Sequence, residues 1–453
     1  MATVAAMLKH RGWDVRGSDH GVYPPMSTFL EGEGVRLMEG YQPEHITSDL
    51  DLIVVGNAIS RGNPELETVL DRKIRYCSLP EIVRDQFLWG SRSIVVTGTH
   101  GKTTTTSLVG WVLAECGRDP SVLVGGIASN FNASYRLGHG REFVIEGDEY
   151  DSAFFDKTAK FLKYLPDIAI VNNLEFDHAD IYPDIGAVEL AFKRFVVLVP
   201  RNGMLLLGGD SARALALREH AKSRVETFGT SDGCDWFASD IAVRPSGTSF
   251  KVRRKGALVG TFEVPLLGAH NVRNALVAIA VAATLGLDAG PVANALRKFQ
   301  GVKRRLELRG SVGDIRVYDD FAHHPTAIAE TLAALRLAHP DQRIWALFEP
   351  RSASSCLKVF QDEFVQALDG ADEVVLAPVF RGNIPEEHRL SPTEIATALI
   401  TRGTSAHALS STAEIVQHVS ASAAPGDLIV VMSNGGFDGI HDKLLAALKG
   451  RPQ

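Results

Sequence analysis

The stretch IVVTGTHGKTTTT, residues 94–106, constrains this chain more than any other part of it. Four β-branched residues in a row read as a buried strand, GTHG as a tight turn, and the threonine run as the opening of a helix. Gly98 and Gly101 let backbone N–H groups turn inward around an anion. Lys102 adds a compact positive charge for β and γ phosphates, and the Thr103 hydroxyl offers a hard oxygen to Mg²⁺. The helix N-terminus contributes its dipole. The longer loop GxxxxGK[ST] would need glycine at position 96, where Val96 stands. A strand-to-helix turn with an incidental lysine is the bland reading. The order of strand, turn, lysine, hydroxyls and helix argues for nucleotide phosphates instead.

Such a turn belongs at the carboxyl end of a parallel strand, and the rest of the chain repeats that grammar. Strands are expected at 52–55, 94–97, 142–145, 168–171, 204–207, 344–348, 373–376 and 428–432. Helices are expected at 103–116, 272–285, 325–336 and 391–401. A chain of 453 residues exceeds one hydrophobic core. Breaks near Trp89-Gly90-Ser91 and Gln300-Gly301 divide it into 1–90, 91–301 and 302–453. A Gly, Ser and Thr-rich region at 226–265 reads as an antiparallel insertion in the middle unit.

Two acidic segments follow predicted strands. EGDEYDS (146–152) carries Glu146, Asp148, Glu149 and Asp151; NNLEFDHADIY (172–182) carries Glu175, Asp177, His178 and Asp180. In a parallel sheet both lie on the edge that holds the glycine turn, where carboxylates and one imidazole suit a metal beside phosphates. Glu146 and His178 are the best candidates, with Asp148, Glu149 and Asp151 shaping the field. Solvated acidic loops are the plain alternative. The net charge of −7 gives no general attraction to nucleic acid or to an anionic membrane. Cys77, Cys116, Cys234 and Cys356 form no CxxC pair and read as reduced thiols. Lys9, His10 and Arg11 interrupt the first apolar stretch before it can act as a signal sequence, so a cytoplasmic protein is expected.

With these pieces assembled, the chain resembles the Mur ligase family along nearly its whole length. GTHGKTTTT, EGDEYDS and NNLEFDH resemble that family's nucleotide loop, first magnesium carboxylate and second-metal histidine. GAHNVRNALVA (268–278) resembles the adenine-side segment, GVKRRLE (301–307) the hinge arginine region, and YDDFAHHPT (318–326) the ATP-closing segment. The resemblance implies an N-terminal Rossmann-like domain, a central P-loop ATPase-like α/β domain and a C-terminal Rossmann-like domain. It implies ATP binding by Gly98, Thr99, His100, Gly101, Lys102, Thr103, Thr104, Asn271, Asn274, Arg305 and Asp320. Metal binding, to Mg²⁺ or Mn²⁺, falls to Thr103, Glu146 and His178, and catalysis to Lys102, Glu146 and His178.

Within the family two branches lie near. One adds L-alanine to UDP-N-acetylmuramate; the other attaches the murein tripeptide L-alanyl-γ-D-glutamyl-meso-diaminopimelate to the same acceptor. The segments EYDSAFFDKTAKFLKY (149–164), FEPRSASS (348–355) and MSNGGFDGIH (432–441) favour the tripeptide branch. Arg351, Ser352, Asn434 and His324 are then expected at the amine substrate, Arg351 because a guanidinium matches carboxylate or phosphate. A surface arginine at a strand end is its alternative. The chain opens inside the helix that in this family follows a strand and glycine-rich turn, so UDP contacts there are expected to be incomplete. Lys193, near the position of the carbamylated lysine of other branches, is expected to reach solvent. A monomer or homodimer is expected, with no nucleic acid and no membrane.

Overall fold

A computed structural model describes residues 1–21, 26–382 and 384–451. In the first stretch two parallel strand pairs form separate sheets. β1 (Arg16–Asp19) pairs β2 (Arg36–Glu39), and β3 (Ile53–Val55) pairs β4 (Tyr76–Ser78). Val4, Met7 and Leu8 of the helix Ala2–His10, with Ile82, Val83 and Phe87, bury into a cluster shared with the central sheet. At the junction Trp89 is 65% exposed, and Gly90 has φ +81.

The central sheet explains the apolar runs. Its strands are β5 (Arg92–Thr97), β6 (Ser121–Ala128), β7 (Ala133–Arg136) and β8 (Glu142–Glu146). A small hairpin of β9 (Asp151–Ala153) and β10 (Asp156–Ala159) stands apart. Then come β11 (Ile168–Val171), β12 (Met204–Gly208), β13 (Arg224–Gly229), β14 (Trp236–Arg244), β15 (Gly247–Arg254) and β16 (Ala257–Val264). The spatial order is β16-β15-β14-β13-β12-β11-β5-β8-β6-β7. Successive side chains of a strand face opposite sides, and here both sides are covered. Ile94, Val96, Val144 and Ile170 pack on the side of helices Lys102–Glu115 and Ala269–Thr284. Val95, Ile145, Ala169 and Val171 pack on the other side with Phe161, Phe192 and Phe195.

The antiparallel strands expected at 226–265 are present in the middle unit, and they extend this sheet. Phe228↔Trp236 and Gly229↔Phe237 join β14 to β13 in parallel, and β15 and β16 continue antiparallel. Alternate residues of these strands, among them Trp236, Ala238, Phe250, Val252, Phe262 and Val264, bury in the core of the main sheet. That apolar face cannot stand alone in water, so it prolongs the sheet rather than forming a separate unit.

The last stretch has its own sheet: β17 (Glu307–Val312), β18 (Ile315–Asp320), β19 (Ile344–Phe348), β20 (Glu373–Leu376), β21 (Ser405–Ala408) and β22 (Leu428–Met432). The order is β17-β18-β22-β19-β20-β21, parallel except at β17. Its two faces bury separate clusters, around Ile328, Phe348 and Phe364 on one side and Trp345, Leu347 and Ile440 on the other. Among the described residues no helix is long and apolar enough to cross a membrane.

Candidate active site

Register places the chemistry. Val96 pairs with Glu146, and Thr97 with Val171, so the loops after β5, β8 and β11 leave the sheet side by side. They open into a cleft of about 550 Å³ that is closed on its far side by Arg305, Asp320, Phe321, His323 and His324 of the last stretch.

The glycine turn is fixed by close approach as well as by torsion. Gly98 has φ +125, and a methyl carbon built on it would stand 3.0 Å from the backbone nitrogens of Asn172 and Asn173. Gly101 caps the helix Lys102–Glu115 at φ +80, and a methyl carbon there would stand 2.6 Å from Asn274 Oδ1. Both positions exclude an ordinary side chain. A buried polar chain backs the turn. Asn172 Nδ2 donates to Thr105 Oγ1 (3.1 Å), Thr105 Oγ1 to Asn274 Oδ1 (3.0 Å), and Asn274 Nδ2 to Asn271 Oδ1 (3.1 Å). The His100 backbone N–H donates to Asn173 Oδ1 at 2.8 Å. The two expected adenine-side asparagines thus stand behind the glycine turn and help to hold its shape.

At the floor of the cleft Thr103 Oγ1 donates to Glu146 Oε1 at 3.0 Å. The Gly125 N–H donates to Glu146 Oε2 at 2.7 Å, and Arg305 Nη2 reaches Thr103 Oγ1 at 3.2 Å. Burial raises the Glu146 carboxyl above its ordinary value, against the Gly125 hydrogen bond and the charges of Lys102 and Arg305. A half-buried carboxylate next to a hydroxyl is a donor set that fits a hard divalent cation.

Glu149 is the residue sequence reasoning undervalued. It is 3% exposed, and its Oε1 accepts from Lys102 Nζ (2.7 Å) and from His178 Nε2 (2.9 Å). Its Oε2 is buried without a hydrogen-bond partner. Burial opposes its charge, but Lys102 and His178 outweigh that and hold the carboxyl at about 2. Lys102 Nζ also donates to the carbonyls of Gly98 and Thr99. Burial works against the Lys102 charge, yet Glu149 raises its pKa; the same balance raises that of His178. His178 sits at φ +56, a sparsely populated conformation for a non-glycine residue, with its N–H on Asp177 Oδ1 (2.7 Å). The one available signal was spacing: Glu149 lies three residues beyond Glu146, and only a sharp turn after β8 brings it back under Lys102.

The amine-side candidates divide. Arg351 lies 3.6 Å above the exposed Phe380 ring, 3.6 Å from Glu349, and against Gly435, next to Asn434, whose Oδ1 is buried without a partner. The Ser352 hydroxyl closes its own turn through Ser355 (2.8 Å). This loop meets the central stretch where the Ala179 N–H donates to Ser354 Oγ at 3.3 Å, one residue past His178. His324 stands elsewhere, tilted against the His100 ring with centroids 4.7 Å apart. Asp320 accepts from the N–H groups of Leu306 and Ala322 and is raised by burial, against Arg305. Asp151 pairs with exposed Lys157, and half-buried Lys193 lies outside the cleft lining.

Three family models match the chain: the Mur ligase family catalytic domain over residues 1–87, the Mur ligase middle domain over 96–282, and the Mur ligase glutamate ligase domain over 304–435. The chain is 41% identical over 450 residues to the Escherichia coli UDP-N-acetylmuramate–L-alanyl-γ-D-glutamyl-meso-2,6-diaminoheptandioate ligase, covering 99% of this chain and 96% of the relative. It is 37% identical over 385 residues to the UDP-N-acetylmuramate–L-alanine ligase of Salinibacter ruber, covering 84% and 78%. The crystal structure of a murein peptide ligase from Psychrobacter arcticus superposes with a TM-score of 0.72 at 38% identity, over 100% of this chain and 97% of that one. The middle and last matched segments supply nearly all the walls of the cleft, and the chain belongs to the Mur ligase family.

Proposed function

We propose that this protein joins the murein tripeptide L-alanyl-γ-D-glutamyl-meso-diaminopimelate to UDP-N-acetylmuramate with cleavage of ATP, in the cytoplasm. The observation that carries the reading is the convergence of Lys102, Thr103, Glu146 and His178 on one cleft faced by Arg305 and Asp320. Likeness to the E. coli and P. arcticus ligases supports the choice of substrates. Thr103 and Glu146 would hold one magnesium ion and His178 a second, and these ions would supply positive charge beside the transferred phosphoryl group.

The chain's own groups do the remaining work. Backbone N–H groups of the glycine turn and the helix end cradle the phosphates. Lys102 exchanges its contacts with Glu149 and the carbonyls for phosphate oxygens, while Arg305 and Asp320 close on the nucleotide from the last stretch. A lactyl carboxylate oxygen attacks the γ phosphorus, the bond to ADP breaks, and an acyl phosphate forms. The free L-alanyl amine then attacks the acyl carbon, phosphate leaves, and the surplus ammonium proton passes to solvent. Charge that develops on the phosphoryl oxygens meets donors already in place, which is where rate enhancement of this kind arises. Arg351, Ser352 and Asn434 serve the anionic end of the tripeptide.

The test is phosphate release from ATP plus UDP-N-acetylmuramate, with tripeptide and L-alanine compared at equal concentration. Tripeptide should support the faster release. Faster release with L-alanine would move the protein to the alanine-adding branch, and release without any amine would end the ligase reading.

A further inference from the structure

Beside the nucleotide cleft a second set of ligand atoms comes together from three separate segments. His100 belongs to the glycine turn, Glu175 to the loop after β11, and His324 to the residue that caps the helix Pro325–Ala338. Their ligand atoms all lie within 4.8 Å of one another. His100 Nε2 is 3.1 Å from Glu175 Oε2, and His324 Nδ1 is 3.5 Å from the same oxygen. Ligands about 2.0–2.1 Å from a tetrahedral zinc ion stand roughly 3.3 Å apart, so both separations match the edge of such a site.

The hydrogen bonding around His324 points the same way. Its Nε2 donates to the Phe176 carbonyl at 3.3 Å, which fixes the tautomer and leaves a lone pair on Nδ1. A histidine that gives its other N–H to a backbone carbonyl is the arrangement that orients imidazoles at metal centres. That Nδ1 lone pair faces Glu175 Oε2, an oxygen that already accepts from His100 and from Thr326 Oγ1 (2.7 Å). Its one donor is the Thr326 N–H at a long 3.4 Å. Two acceptors facing each other call for a cation between them.

We propose that His100, Glu175 and His324 form a zinc site, distinct from the magnesium position at Thr103 and Glu146, that ties the glycine turn to the last stretch of the chain. Two imidazoles and one carboxylate suit Zn²⁺ and discriminate against Mg²⁺, which takes oxygen ligands. Three protein ligands leave a fourth position for water. Other polar contacts across this seam include Arg305 to Thr103, Arg273 to Glu330, His324 to Phe176, Thr326 to Glu175, and the Ala179–Ser354 pair. An ion here holds the nucleotide loop and the closing segment together, opposes their separation, and so acts as a brake on any cycle that needs the cleft to open.

The test needs neither substrate nor turnover, so its outcome is separable from that of the ligase reading. The full chain, in excess Mg²⁺, is titrated with Co²⁺ and then Zn²⁺, following the visible absorption of four-coordinate cobalt and the melting temperature. One equivalent of cobalt should give the tetrahedral band, zinc should abolish it, and zinc should raise the melting temperature by several degrees. Glu175→Gln and His324→Gln should each lose the band and the zinc-dependent shift, whereas His178→Ala should keep both. No band in the parent protein, a band that survives both substitutions, or a band lost in His178→Ala would overturn the proposal. If one of the two variants does not fold, the other decides.

Discussion

Glu149→Gln is the most informative single change. The substitution keeps the shape of the side chain and removes the charge that Lys102 and His178 share. At 2.7 Å and an effective dielectric of about 20, the Lys102–Glu149 attraction is roughly 6 kcal/mol before desolvation is counted. Desolvation of two buried ions offsets much of that, but removing one partner leaves the other buried and uncompensated, at a typical loss of about 3–5 kcal/mol. Lys102 keeps the Gly98 and Thr99 carbonyls, so about 3 kcal/mol is expected. The assay is urea unfolding of the parent, Glu149→Gln, Lys102→Met and the double variant. Because both single changes break one contact, the double variant should be more stable than additivity predicts, by about 2 kcal/mol. The His178 ring, whose pKa is raised by Glu149 against burial, should titrate lower in Glu149→Gln when followed by NMR. Additive losses within about 0.5 kcal/mol, with an unmoved His178 titration, would refute the shared-charge account.

Gly101→Ala should cost more than Gly117→Ala, although their torsions match at φ +80 and +78. Only Gly101 has a neighbour in the way, so it should lose ~1 kcal/mol more in denaturant unfolding and should alone weaken ATP binding by calorimetry. Glu146→Gln and His178→Ala should each cut ligation at limiting Mg²⁺ and recover part of it with excess Mg²⁺ or Mn²⁺, while Asp151→Asn, on an exposed ion pair, should change it little. Glu175 is held at about 2, against burial, by His100, Thr326 and His324, so its ionised form stabilises the fold. That contribution is complete above its unfolded value of about 4.5 and is lost as pH falls toward about 2. The stability gap between the parent and Glu175→Gln should therefore narrow between pH ~6 and pH ~3.5 in urea titrations.

The sequence by itself determined whatever rests on local pattern. Apolar runs marked β5, β8, β11, β19 and β22, because a strand covered on both faces must be apolar through its buried length. The turn glycines, Lys102, Thr103, Glu146 and His178 were legible because their spacing follows strand ends that register then aligns. Periodicity could not tell that Trp236 to Val264 prolongs the main sheet, since an amphipathic hairpin reads alike wherever its buried face docks. Nor could it show that the helix Ala2–His10 shares a core with the central sheet. Tertiary structure alone decided which carboxylate meets Lys102 and that His324 joins His100 and Glu175. Those contacts span 47 residues for Lys102–Glu149 and 151 for Glu175–Thr326. Such pairings are set by how packed sheets bring distant loops to one edge, and no local pattern in the chain encodes them.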